Sequence, residues 1–475
     1  VIVGLGDSFG SGEGNPAKKK DSPLGSHWYE TRWWNADGTT DPEPAADCHR
    51  SSKSGFYKAV RRLKDAFPYF EFTYKNFACT GAVIDNLWRE RQIPTSEQNG
   101  ENTNGWTKDT AYDPQLEQVD AWMRGVAPNR TTARIDAMYL SIGGNDAGFA
   151  AAIKHCIELR CTISNGAIQD LHASITSSLA DSYRTLKSHI NSTSRYATPA
   201  AVVISEYPNF VKNRYGDWCE SNDAPLNMVA SAEWEYLWNQ IGTPLLRTIN
   251  TIASEFNWSV ATMEDRYVNH VLCDSNTTEN AWINNDEFAT LNQGDDMRGV
   301  GTAWLSMGMV HPNNSGYEAY ADGIEPRLIA QLVASSAPRG SVRNFTATRL
   351  GTAPNASGQR QVKFTWTPPA VSDTGRTKLS GYRILMKQLS SSSGSQTLEI
   401  GVGNTVTAWV NPGNLVFTIA PCGQVVDRNR TRGCGNTTEV RLPAAPTASA
   451  PSPFVATSTL PPSASSVTTN PVARP

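Results

Sequence analysis

Ser8 stands where an apolar run breaks into glycines, in VIVGLGDSFGSGEG, and two chemistries begin this way. One is a dinucleotide site, in which a strand feeds Gly-x-Gly-x-x-Gly and the following helix receives a pyrophosphate. The other is a nucleophile turn, in which the strand presents a reactive serine at its end. Gly4 and Gly6 meet the first two glycine positions, but the third falls on Phe9, which cannot give the close helix–strand packing that glycine allows. The dinucleotide pattern also wants an acid about 20 residues on, at the end of a second strand. The stretch 15–35, NPAKKKDSPLGSHWYETRWWN, is loop-like instead. The nucleotide reading is disfavoured, and the serine reading needs partners elsewhere.

Three stretches supply them. ACTGAVIDNL places Gly81 after one apolar segment, LSIGGNDAGF places Asn145 after another, and MVHPNNSGYEAYA places His311 just before the last helical pattern. Each has an ordinary reading by itself. Ser8 suits a helix N-cap, Gly81 a tight turn, Asn145-Asp146 a turn after a strand, and His311 a loop. Together, in this order at strand ends and a helix start, they resemble the SGNH (GDSL-type) hydrolases over most of 1–338. CHRSSKSGFYKAV and the pair Cys48/Cys79 resemble the secreted esterase branch of that family.

The resemblance implies acyl transfer from an ester to Ser8 and then to water, with no cofactor and no metal. A serine hydroxyl is a weak nucleophile until a base takes its proton, and His311 is the implied base. The backbone N–H groups of Ser8 and Gly81 and the Asn145 amide are the implied oxyanion hole, a task that needs Asn because Asp only accepts. The family usually places Asp three residues before the histidine, but position 308 is Gly308. In some relatives a main-chain carbonyl orients the histidine. Here Gly308 or Met309 could supply one, or Asp295 or Asp296 could swing in from the preceding loop. A serine–histidine dyad still activates serine, because the third group mainly fixes tautomer and orientation.

These residues need a frame. Strand patterns fall at Val1–Leu5, Phe70–Phe77, Ala137–Ile142, Ala201–Ser205 and Trp258–Met263. Between them apolar residues recur at helical spacing: Phe56, Val60, Leu63 and Phe67; Leu171 through Ile190; Leu237 through Ile252, with Pro244 read as a kink or break; and Tyr317 through Leu332. Alternating units predict an α/β fold, a three-layer α/β/α sandwich with a parallel flavodoxin-like sheet whose strand C-termini carry the site. The stretches 14–50, 89–115 and 264–310 read as long loops. Gly10–Gly14 reads as a flexible lip, and the tryptophans of HWYETRWWNADG (27–38) as loop packing.

Near SAPRGSV the character changes, and seven short alternating segments follow up to residue 442. They predict a small all-β immunoglobulin-like sandwich. KFTWTPP, GYRILMK and NPGNLVFTIAP resemble a fibronectin type III module, with Trp366 and Tyr382 at its core positions and Leu415 where a tyrosine is usual. The expected division is 1–338 catalytic, 339–442 sandwich, and 443–475 a disordered tail of Pro, Ser, Thr and Ala.

A net charge of −3 gives no basic excess for nucleic acid, and no apolar run approaches the roughly 18 residues of a membrane-spanning helix. Cys48, Cys79, Cys156, Cys161, Cys219, Cys273, Cys422 and Cys434 are even in number and lack Cys-x-x-Cys spacing, which favours disulfides, paired in sequence order, over a metal site. Asn-x-Ser/Thr triplets begin at Asn129, Asn191, Asn257, Asn276, Asn313, Asn344, Asn355, Asn429 and Asn436. With the cysteines they favour a secreted glycoprotein of eukaryotic type, the alternative being a bacterial secreted protein in which the triplets mean nothing; a monomer is expected. The expected activity is hydrolysis of lipid or small acyl esters, or of an acylated polysaccharide or plant polymer. The competing class is a catalytically silent carbohydrate-binding or adhesion glycoprotein, suggested by the missing acid at 308 and by the sandwich domain.

Overall fold

The structure is a computed structural model. It describes residues 1–15, 48–67, 72–92, 111–126, 135–159, 161, 166–192, 201–213, 215–220, 229–273, 281–284, 298–300, 303–305, 308–335, 338, 340–370, 379–389, 395–423 and 433–444. The tryptophan loop 27–38, Asp295, Asp296, the triplets at Asn129, Asn276 and Asn429, and the tail beyond 444 lie outside the described residues. The chain divides into two compact units; the division falls between Gln331 and Leu332, inside the helix Asn314–Ser335, and Ala66 and Phe67 group with the second unit.

The first unit runs β1 (Ile2–Gly6), α1 (Ser8–Ser11), α2 (Gly55–Ala66), β2 (Tyr74–Asn76), α3 (Ile84–Trp88), α4 (Gln115–Val126), β3 (Ala137–Ser141), α5 (Phe149–Leu159), α6 (residues 166–192), β4 (Val202–Ser205), α7 (residues 231–256), β5 (Ser259–Ala261), β6 (Arg298–Val300), β7 (Ala303–Leu305) and α8 (Asn314–Ser335). β1 to β5 form one parallel sheet in the order β2-β1-β3-β4-β5. This is the doubly wound 2-1-3-4-5 order, with helices on both faces. The three central strands are buried along their whole length, which explains their unbroken apolar runs. The edge strands are shorter than the sequence suggested and only partly covered. The stretch 264–310, read as loop, contains the β6–β7 hairpin.

α2 buries Phe56, Tyr57, Ala59, Val60 and Leu63. Its polar side meets α8, where Lys58 pairs with Glu318 and Arg62 with Glu318, Asp322 and Glu325. α6 and α7 each contain one π turn, at Ile175–Leu179 and Trp238–Gly242. Leu171, Ile175, Leu179 and Tyr183 repeat every four residues, a wider step than the 3.6 of an α-helix, and the π turn absorbs the drift. Pro244 does not break α7. It follows directly on the π turn, where the hydrogen-bond ladder changes register and a missing N–H is tolerated.

In the second unit β8 (Arg343–Arg349), β9 (Arg360–Thr367) and β12 (Thr405–Val410) form one antiparallel sheet. β10 (Gly381–Gln388), β11 (Gln396–Ile400), β13 (Leu415–Cys422) and β14 (Thr438–Leu442) form the other. This immunoglobulin-like sandwich closes on Phe345, Phe364, Trp366, Tyr382 and Phe417. Trp366 and Tyr382 meet edge-on at 4.9 Å, and Leu415 is buried with them. The eight cysteines pair in sequence order, as Cys48–Cys79, Cys156–Cys161, Cys219–Cys273 and Cys422–Cys434. Four disulfides fit a protein folded in an oxidising compartment. Among the described residues no helix is long and apolar enough to cross a membrane.

Candidate active site

β1 and β3 lie side by side in register, Gly6 opposite Ser141. Ser8 therefore leaves β1, and Asn145 leaves β3, at the point where the strand order reverses and a crevice opens. Gln115 fixes this end of β1 by accepting from the Gly6 N–H and donating to the Gly6 carbonyl, both at 2.8 Å. Asp7 then caps α1 by accepting from the Phe9 N–H at 3.1 Å. Ser8 is thus presented in the first turn of a four-residue helix.

The Ser8 hydroxyl lies 2.7 Å from His311 Nε2. His311 Nδ1 lies 2.9 Å from the Met309 carbonyl. A carbonyl only accepts, so Nδ1 carries the proton and Nε2 turns its lone pair to the hydroxyl. Of the two carbonyls the sequence left open, Met309 faces the ring, while Gly308 accepts from the His311 N–H and closes the turn. Val310, between Met309 and His311, has φ 58°, a left-handed conformation that costs a β-branched residue about 1–3 kcal/mol. Buried Asn284 holds this turn. It accepts from the Val310 N–H and donates to the His311 carbonyl, both at 2.9 Å, and its side chain donates to the Gly14 carbonyl at 3.0 Å.

The Ser8 and Gly81 N–H groups have no partner among the described residues. Asn145 donates one amide hydrogen to the Ala82 carbonyl at 2.9 Å, which leaves its second for another acceptor. Ser8, Asn145 and His311 line one cavity; Gly81 does not line it, but sits in the adjoining turn that Asn145 grips. That turn is anchored by the Cys48–Cys79 bridge and by buried Arg50, which donates to the carbonyls of Phe77 and Ala78.

Asp7 is buried, and burial pushes its carboxyl up to about 7, against the opposing hydrogen bonds from Tyr207, Phe9, Gly10 and Ser141. The folded state therefore holds this proton more tightly than the unfolded chain does. Stability from this group is greatest below the unfolded value near 4 and falls as pH rises toward 7. Asp7→Asn is expected to flatten that fall, which melting temperatures of both proteins between pH 4 and 7 will show.

A cavity opens beside Ser8. Its walls are apolar, formed by Phe149, Ile153, Phe210, Trp238, Leu245 and Leu246. These residues come from α5, from the segment after β4 and from α7, and of them only Leu245 fell in an apolar pattern of the sequence. Tyr207, Asn284 and Gln115 also carried no sequence signal, since none sits in a glycine-rich or acidic motif. The segment Gly10–Gly14 is not a lip. It is buried, and a side chain at Gly14 would run into Asn284 and His311. His49 is buried with Nδ1 2.6 Å from Glu13 and does not line the cavity. Among the described residues no group of His, Cys, Asp and Glu is arranged to hold a metal.

No protein-family model matches the chain, and no curated protein matches it. Among solved structures, the extracellular lipase of Streptomyces rimosus matches over 69% of this chain and 98% of its own, with 18% identity and a TM-score of 0.41. Phospholipase A1 from Streptomyces albidoflavus NA297 matches over 70% and 98%, with 18% identity and a TM-score of 0.39. The third fibronectin type III domain of a human protein covers 24% of this chain and 91% of its own, with 14% identity and a TM-score of 0.18. At such scores the functional reading rests on the geometry of the site itself.

Proposed function

We propose that the chain is a secreted serine esterase of the SGNH type that cleaves carboxylic esters with an apolar acyl group. The observation that carries this is the 2.7 Å contact between Ser8 and a histidine whose other nitrogen is held by a carbonyl, at the wall of an apolar cavity. In the first step His311 Nε2 takes the Ser8 proton and Oγ attacks the ester carbonyl carbon. The N–H groups of Ser8 and Gly81 and the Asn145 amide hold the oxyanion. The carbon–oxygen bond to the alcohol then breaks, and the alcohol leaves with the proton from His311. Water repeats the sequence on the acyl-Ser8 ester and releases the acid. The sandwich 339–442 is proposed as a fibronectin type III-like accessory domain.

The silent-protein reading drew on the missing acid at 308 and on the sandwich domain; the contact of His311 Nδ1 with the Met309 carbonyl supports the esterase reading over it. A fluorophosphonate probe is expected to label wild type at Ser8, since only an activated serine reacts. Hydrolysis of p-nitrophenyl esters from acetate to palmitate is expected to rise with chain length until the acyl group fills the cavity. Each buried CH₂ is worth about 0.8 kcal/mol. Absence of labelling in folded protein would return the silent reading, and a strict preference for acetate would remove the acyl-pocket assignment.

A further inference from the structure

The proposed mechanism leaves two polar side chains in the cavity unused, Asp7 and Tyr207. Tyr207 follows β4, is 8% exposed, and lines the cavity. Its hydroxyl donates to Asp7, the residue before Ser8, and accepts from the N–H of Gly144, the residue before Asn145, at 2.9 Å. Its ring packs edge-on against Phe9 at 5.2 Å, and Phe9 lies 4.9 Å from the His311 ring. A single oxygen atom joins the turns that leave β1 and β3. Packing at Gly144 is tight, since a side chain there would meet the Tyr207 ring at 3.0 Å.

We infer that Tyr207 is a positioning residue, which sets the spacing between the Ser8 turn and the Asn145 turn and so aligns nucleophile with oxyanion donors. The inference rests on the esterase reading. Oxyanion donors act only within about 2.7–3.1 Å of the developing charge, and a 1 Å displacement can cost about 100-fold. Ser8 N–H and Asn145 each sit one residue from an atom that Tyr207 holds. The segment carrying Tyr207 is itself tied to the sheet, because the Glu206 N–H donates to the Ala261 carbonyl at 3.0 Å.

Three hydrogen bonds of the junction end on the Asp7 carboxyl. As a carboxylate it accepts from the Phe9 N–H, from Ser141 at 3.3 Å and from Tyr207. Once protonated it donates from one oxygen, so its bond with either Tyr207 or Ser141 reverses. Burial brings this change to about pH 7. The titratable groups that feel the Asp7 charge are Tyr139, Tyr183, Tyr207, Tyr317 and Tyr320, with His311 beyond Ser8. Burial raises all five phenols, so they stay neutral across the working range.

The test is kcat and KM for p-nitrophenyl esters from pH 5 to 9, on the full chain, in wild type, Tyr207→Phe, Asp7→Asn and the double variant. Tyr207→Phe is expected to lower kcat by about 10–100-fold with KM for the acetate within about twofold. Its acid limb should move to higher pH, because the Tyr207 bond holds the Asp7 carboxyl down. The double variant should cost no more than Asp7→Asn alone, as expected for two parts of one link. A folded Tyr207→Phe with wild-type kcat overturns the inference. So does a loss of kcat without movement of the acid limb, or with costs that simply add. If Tyr207→Phe does not fold, Asp7→Asn decides, and an unchanged acid limb there overturns it. Failure of wild type to label with fluorophosphonate is a separate result, which removes the esterase reading and the inference with it.

Discussion

Ser8→Ala is expected to lose ester turnover by about 10⁴–10⁶-fold while melting within a few degrees of wild type. Among the described residues the Ser8 side chain bonds only to His311 Nε2, and its backbone carbonyl receives the helical bonds of α1. Alanine therefore removes the attacking oxygen and leaves a good helix former in the first turn. His311 keeps its bond to the Met309 carbonyl, so the base stays in place with nothing to deprotonate except water. Adding His311→Ala to Ser8→Ala should cost almost nothing more, because members of one catalytic unit fail together. The measurement is p-nitrophenyl ester hydrolysis by the three proteins, with melting curves as the check on folding. Turnover by Ser8→Ala at the wild-type rate would place the chemistry elsewhere and sink the assignment.

The central frame was legible because burial on both faces leaves strands β1, β3 and β4 almost wholly apolar, with Ser141 and Ser205 at the strand ends. A run such as Ala137–Ile142 can then be little else than an inner strand. The edge strand β2 was not, and Phe70–Phe77 was read too long, because a half-covered edge has no sharp compositional limit. That Ser8, Asn145 and His311 would meet at one cavity was legible because glycine, proline and strand ends mark where a parallel sheet exposes polar groups. What orients His311 was not, because a main-chain carbonyl has no letter of its own, and neither does the left-handed turn at Val310 that presents it. Tyr207, Asn284 and Gln115 escaped for a related reason. Each acts on backbone atoms or on a partner 100 or more residues away, as with Tyr207 to Asp7 and Gln115 to Gly6, and spacing does not report such pairs. The glycine run 10–14 was misread because its neighbours, among them Ser51, Asn284 and His311, come from distant parts of the chain.

Gly6→Ala is expected to be the most destabilising small substitution in the sheet, costing about 4 kcal/mol or more and about 10 °C or more in Tm. Gly6 has φ 142°, a region open essentially only to glycine. A Cβ placed there would stand 2.0 Å from the Ser141 carbonyl oxygen and 2.8 Å from its carbon. Neither atom can retreat. Ser141 ends the fully buried strand β3, and its oxygen receives the Asp7 N–H at 2.8 Å. Gly6 cannot retreat either, with Gln115 and the Cys79 N–H bonded to it. The internal control is Gly125→Ala in α4, where an added Cβ meets nothing within 4 Å. There alanine should gain a few tenths to about 1 kcal/mol by helix propensity. Thermal unfolding of the two variants beside wild type separates the predictions by sign. Any folded fraction of Gly6→Ala should also be inactive, because the clash drives apart the two strand ends that carry Ser8 and Asn145. A Gly6→Ala protein that melts like wild type would mean these ends separate freely, and the contact of Gly6 with Ser141 would then have no part in setting the site.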